Sequence, residues 1–259
     1  MPFAEWKDVR IHYELAGAAN GPVLAFSNSL GTNLSMWDPQ MEEVAKKSRV
    51  LRYDTRGHGQ SSVPTGPYTM EMLGRDVIGL LDVLKIETVH FCGLSIGGQT
   101  GMWLGMNAPE RLKKLVLCNT GAKIGVTDIW NTRIETVRKN GVKAVSSGVI
   151  ERWFTPKFRE KEPAAVGKTQ NMLEATNAEG YVSCCAAVRD FDCREKLGAL
   201  RVPTLVIAGA HDPATPASDG RFVAEKIPGA RYVELDAAHL SNIEARERFT
   251  AELTQFLAE

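Results

Sequence analysis

Neither sign of charge is in surplus. Lys plus Arg and Asp plus Glu both number 31 in 259 residues, the formal net charge is zero, and no polybasic run appears. The attraction on which nucleic-acid and anionic-membrane binding depend is therefore missing. Long apolar runs are missing too: none approaches the roughly 20 residues that span a bilayer. The opening stretch MPFAEWKDVR has no apolar h-region of the signal-peptide kind. Cysteine is scarce and odd in number, and Cys92, Cys118, Cys184, Cys185 and Cys193 show no metal-type spacing. Cys92 and Cys118 fall inside apolar runs and read as buried reduced thiols. The adjacent Cys184 and Cys185 read as helix packing rather than as a redox pair. The expectation is a cytoplasmic protein acting on a small molecule, without metal, cofactor, nucleic acid or membrane; nothing sets an oligomeric state.

What is present suffices for a large core: 44% of residues are apolar. Residues 3–16 alternate and read as a hairpin of two short strands. Strand-like apolar runs follow at PVLAF (22–26), RVLRYD (49–54), TVHFCG (88–93), LKKLVLCN (112–119), TLVIAG (204–209) and ARYVELD (230–236). Helical segments near 36–47, 69–84 and 97–108 separate the first four. This alternation predicts an α/β fold whose sheet is mostly parallel, eight-stranded and flanked by helices on both faces. It stops after Asn119. Residues 121–195 hold helical patterns, two Trp and several Arg, but no buried strand. They read as a helical cap inserted in a core of residues 1–120 and 196–259, lying over the carboxyl ends of the strands where open α/β sheets bind ligands.

Chemistry enters at FCGLSIGGQ (91–99). A serine hydroxyl is a weak nucleophile unless a base reaches it, and Gly-x-Ser-x-Gly between a strand and a helix is a turn that holds the hydroxyl out. Ser95 sits in that context. Of the five histidines, His12 reads as a surface or packing residue and His90 as core. His58, in RGHGQS, either lines a site or caps a loop, and His211 reads as a loop residue. His239 follows the last strand and precedes a helix near Ser241, which makes it the candidate base. The orienting acid belongs in the loop after the preceding strand, where AHDPATP offers Asp212. Asp236, three residues before His239, is the competitor and reads as a strand-end turn residue.

Together, SNSLG (27–31), YDTRGHGQSS (53–62), GLSIGG (93–98), VPTLVIAGAHDPATP (202–216) and DAAHLSNIE (236–244) resemble the α/β-hydrolase family over essentially the whole chain. FSNSLGTNLSMWDPQ, RYDTRGHGQSSVPTGPYTMEMLGRDV and ERWFTPKF resemble its 3-oxoadipate enol-lactonases in particular. The resemblance implies an oxyanion hole from the backbone N–H of Ile96 and of Leu30, with Asn28-Ser29 standing where the family usually has His-Gly. It also implies a small, anionic enol-lactone substrate with a carboxymethyl arm, from the β-ketoadipate route of aromatic breakdown. A carboxylate entering a closed pocket needs a positive partner. Arg133, flanked by Trp130 and Ile134, is the candidate, with Arg138, Arg152, Arg159 and Arg189 as rivals. Trp153 either walls the lactone ring or packs in the core. Related esterases, perhydrolase-like and C–C bond hydrolases, and a hydrolase-fold lactone receptor remain alternatives, whereas a haloalkane dehalogenase would need Asp at position 95.

Overall fold

Alternation produces the hairpin. β1 (Phe3–Trp6) and β2 (Val9–Gly17) pair antiparallel in the computed structural model, which describes residues 2–259, and Ala4, Val9 and Ile11 point into the core. His12 lies on β2, buried rather than at the surface, with Nδ1 2.7 Å from Asp54 Oδ2. The unbroken apolar runs become interior strands. These are β3 (Val23–Ser27), β4 (Arg49–Tyr53), β5 (Val89–Leu94), β6 (Leu112–Cys118), β7 (Thr204–Gly209) and β8 (Arg231–Leu235). Every residue of β5 and β7 is buried, as strands covered on both faces require.

One eight-stranded sheet results, ordered β1-β2-β4-β3-β5-β6-β7-β8. β2 meets β4 antiparallel and all later neighbours run parallel. The helices are α1 (Asp38–Val44), α2 (Met70–Val83), α3 (Ile96–Asn107), α4 (Thr127–Asn140), α5 (Lys143–Trp153), α6 (Pro156–Lys161), α7 (Pro163–Glu174), α8 (Ala178–Asp190), α9 (Ala217–Lys226), α10 (Ser241–Glu244) and α11 (Arg246–Ala258). Strand alternation divides the apolar residues between two cores. Leu24, Phe26, Val116 and Ile207 pack in one with residues of α4, α5, α8 and α11. Ala25, Leu51, Phe91 and Leu117 pack in the other with α2 and α3. Among the described residues no strand lies between β6 and β7; α4 to α8 occupy that interval. The cysteines are all free and buried, and no described helix is long and apolar enough to cross a membrane.

The sheet and α3 meet closely at one point. A Cβ on Gly97 would stand 2.3 Å from the Ser27 carbonyl oxygen and 2.9 Å from that of Asn28. Both are backbone atoms, so an added methyl forces α3 away from the end of β3. Gly97→Ala is expected to destabilise the protein by about 1–3 kcal/mol. Thermal unfolding should register a Tm loss of roughly 3–10 °C at this chain length. An unchanged Tm would mean that β3 and α3 are free to separate.

Candidate active site

Ser95 is the only residue between a wholly buried strand and a helix with nine of its twelve residues buried. It makes the turn with φ +60° and ψ −115°, a conformation that a non-glycine residue adopts only under constraint. The constraint is hydrogen bonding. Ser95 N–H donates to the Cys118 carbonyl at 2.9 Å, and its own carbonyl accepts from Gln99 N–H (3.0 Å) and Thr120 Oγ1 (2.8 Å). The side chain is thereby left to face a cavity. Ile96 follows as the first residue of α3, where an N–H has no intrahelical acceptor and sits at the positive end of the helix. Among the described residues no hydrogen bond reaches the Ser95 hydroxyl. Catalytic hydrogen bonds often tighten only in the substrate complex.

Asp212 follows β7 by three residues and is buried. Its Oδ1 accepts from the N–H groups of Ala214 (2.8 Å) and Thr215 (3.0 Å), and its Oδ2 accepts from Thr215 Oγ1 (2.6 Å). Burial alone would raise its pKa. The facing His239 and the hydrogen bonds from His239 and Thr215 outweigh burial and hold the carboxyl below the usual carboxylate range. His239 Nδ1 lies 2.8 Å from Oδ2. An ionised carboxylate only accepts, so Nδ1 is the nitrogen that donates to it and Nε2 is the one left to act elsewhere. Asp236 has a side chain 93% exposed and engages His211 Nε2 at 2.7 Å, far from this arrangement in role and environment.

The loop after β3 is held from several sides. Asn28 Nδ2 donates to the Tyr53 carbonyl (2.8 Å), Trp37 Nε1 donates to Asn28 Oδ1 (3.0 Å), and Ser29 N–H meets Met36 Sδ at 3.3 Å. Gly31, at φ +81°, donates its N–H to His58 Nε2 at 2.9 Å. Between them the N–H of Leu30 has no acceptor among the described residues. His58 therefore holds the loop instead of lining the cavity. Its Nε2 accepts and its Nδ1 donates to the Arg56 carbonyl (3.3 Å), so the ring is neutral, and burial pushes its pKa down to about 4.

Ser95, Leu30 and His239 line a cavity of about 260 Å³ together with Trp130 and Arg133 of α4, Arg152 and Trp153 of α5, and Tyr181 of α8. A larger groove of about 570 Å³ runs past Phe154, Phe158, Lys157, Lys161 and His211 and touches none of the candidate catalytic residues, so its size carries no weight. Arg133 stacks over the Trp130 ring at 4.8 Å, and Trp130 Nε1 is anchored on the Ile124 carbonyl at 2.7 Å. Neither Arg133 nor Arg152 makes an ion pair among the described residues. Burial, and then the Arg133 charge, pull the Arg152 pKa below its ordinary value. Two guanidinium groups without an ion pair thus line the cavity that holds Ser95, a chemistry able to receive a carboxylate. The other rivals lie elsewhere: Arg138 is exposed, Arg189 pairs with Asp190 (2.7 Å), and Arg159 is outside the cavity. Sequence reasoning did not find Tyr181 or Thr215. The spacing Asp212-x-x-Thr215 was a readable signal for the second; Tyr181 is one buried aromatic of a helix, with no local mark. No group of three or more His, Cys, Asp or Glu side chains gathers as metal ligands among the described residues.

Comparison with known proteins gives the family and the fold. The model of the alpha/beta hydrolase fold family matches residues 22–246. The chain is 46% identical over 243 residues to 3-oxoadipate enol-lactonase 2 of Acinetobacter baylyi, covering 94% of this chain and 91% of that protein. It is 44% identical to 3-oxoadipate enol-lactonase 1 of the same organism, covering 91% and 88%. The crystal structure of the enol-lactonase from Burkholderia xenovorans LB400 superimposes with a TM-score of 0.98 at 46% identity, over 100% of both chains.

The state of His58 makes stability pH-dependent. Unfolded, the ring takes a proton near 6.5; folded, it resists until about pH 4. The unfolded chain binds more protons between those values, so this stability is full above pH 6.5 and is lost as pH falls toward 4. Going from pH 7 to pH 5 should cost about 2 kcal/mol through this group. His58→Gln keeps an acceptor for Gly31 but does not titrate, so denaturant unfolding at the two pH values should show a flatter dependence. Equal dependence in both proteins would assign the acid sensitivity to other groups.

Proposed function

The chain belongs to the α/β-hydrolase family, and we infer that it hydrolyses 3-oxoadipate enol-lactone, with Ser95 as nucleophile, His239 as base and Asp212 as orienting acid. The observation that carries the activity is the near-full-length identity to two enol-lactonases. The residue roles are supported by the Asp212–His239 hydrogen bond beside a serine held at a strained turn.

His239 Nε2 takes the Ser95 proton as Oγ attacks the lactone carbonyl carbon. The developing oxyanion meets the N–H groups of Leu30 and Ile96. Collapse breaks the ring C–O bond, and the enol oxygen takes the proton back from His239. The enol then tautomerises to the ketone, and water, activated by His239, cleaves the ester to Ser95 and releases 3-oxoadipate. An enol is a good leaving group, so the chemistry is undemanding and the pocket's task is positioning. Because the leaving oxygen stays tethered, the acyl-enzyme carries the whole substrate.

Residues 121–195 are the cap in this reading, closing the site over a core of 1–120 and 196–259. Arg133 receives the carboxymethyl arm, Trp130 and Trp153 wall the ring, and Arg152 adds positive charge to the same cavity. Five free thiols support a reducing, cytoplasmic setting.

A panel of the enol-lactone, saturated lactones and neutral aryl esters tests the substrate class: highest kcat/KM on the enol-lactone supports it, and preference for a neutral ester overturns it. A guanidinium–carboxylate contact in this pocket should contribute about 1.5–3 kcal/mol. Arg133→Met should therefore lower kcat/KM on the lactone acid by roughly ten- to over a hundredfold while leaving neutral esters nearly unchanged. Methionine retains the apolar stem, which separates charge from packing. Equal losses on both substrates, or none on either, would exclude Arg133 as the carboxylate partner, and the same measurement on Arg152→Met would then identify it.

A further inference from the structure

Asn119 closes β6 and has no role in the chemistry above. Its N–H donates to the Ile207 carbonyl at 2.8 Å, the last rung toward β7. The chain then leaves the strand with φ +43° at Asn119, a left-handed conformation that Asn tolerates better than most residues. The side chain is buried, at 1% exposure, and uses its whole hydrogen-bonding capacity inward. Nδ2 donates to Asp212 Oδ2 and to the Ala238 carbonyl, each at 3.1 Å, and Oδ1 accepts from Ser241 Oγ at 2.5 Å. A carboxylate and a carbonyl have no proton to give, so the amide can face them only with its nitrogen. Room for this approach is made by Gly209. A Cβ there would stand 2.9 Å from Asn119 Nδ2 and 2.4 Å from the Ala238 carbonyl oxygen.

We propose that Asn119 is a positioning residue for the acid–base pair, fixing the Asp212 carboxylate and the main chain before His239 to the centre of the sheet. The proposal rests on the reading of Ser95, His239 and Asp212 as the triad. The other non-histidine donors to Asp212, from Ala214 and Thr215, belong to its own loop and would move with it. Asn119 alone ties that carboxylate to β6. The same nitrogen holds the carbonyl adjacent to His239, and Ser241, two residues beyond His239, sets the amide's orientation. One neutral amide thus fixes the spacing of two catalytic loops without adding charge. An aspartate in its place would put a second carboxylate against Asp212, and the pair would have to share a proton.

The test is a double-mutant cycle with Asp212→Asn, read as kcat and KM on both the lactone and a neutral aryl ester. Asn119→Leu should lower kcat by about ten- to a hundredfold on either substrate with KM changed by less than about threefold. In the Asp212→Asn background the same replacement should change kcat by less than about threefold, because the group it positions is gone. Ser241→Ala frees the amide without touching Asp212 and keeps the cycle readable if Asn119→Leu does not fold. Its kcat loss should be smaller and should vanish equally in the Asp212→Asn background. Asn119→Asp supplies a readout that packing does not move: its deficit relative to the unsubstituted protein should shrink as pH falls and the shared proton restores a donor. Losses of the same size in both backgrounds would overturn the positioning role. Full activity of Asp212→Asn alone would instead overturn the triad reading beneath it.

Discussion

Ser95 must reverse the chain from strand to helix within one residue, and the rest of the site is arranged around that requirement. The turn persists because its neighbours overdetermine it: Cys118 and Thr120 of the adjacent strand end hold its backbone, and glycine at position 97 lets α3 come down onto β3. The same closeness brings the β3 loop beside the start of α3, the two segments that carry the unpartnered N–H groups of Leu30 and Ile96. The strained φ and the close helix–strand approach are therefore one structural event, and the oxyanion hole proposed for Leu30 and Ile96 would depend on it.

Electrostatics divides the cavity into two halves. At the sheet end a buried carboxylate is held below its usual range by His239 and Thr215 despite burial, and His58, which holds the β3 loop, is kept neutral by burial. Across the cavity, Arg133 and Arg152 share a small space and make no ion pair among the described residues, and burial together with the Arg133 charge lowers the Arg152 pKa. In the proposed reading these two cations receive the carboxylate of the substrate. The enol-lactone brings one carboxylate and leaves with two, so the interaction that orients the substrate also has to release the product.

Most of the sheet was legible because its signals are local. Apolar runs of β-type composition give β3 to β8 within a residue or two, and the strand–Ser–helix context singles out Ser95. The separation of Asp212 from Asp236 followed from loop order, and their surroundings differ accordingly: one accepts five hydrogen bonds in the interior, the other stands in solvent with His211. What stayed hidden depends on contacts between distant segments. His12 reads as a surface or packing residue, and its burial against Asp54 could not be chosen because that partner is 42 positions away. His58 could not be assigned until its bond to Gly31 was visible, and Asn119 reaches Asp212 across 93 positions. The choice of Arg152 over Arg138, Arg159 and Arg189 as Arg133's companion depends on how α5 lies against α4, which no periodicity encodes.

The central claim is covalent catalysis by Ser95. The most direct measurement is rapid acid quench of the enzyme during turnover of the enol-lactone, followed by mass spectrometry of the intact chain and its peptides. Opening a lactone expels nothing, so the account predicts a transient adduct equal in mass to the entire substrate, confined to the peptide containing Ser95 and absent from Ser95→Ala. Turnover without any such adduct, with Ser95→Ala remaining active, would contradict it.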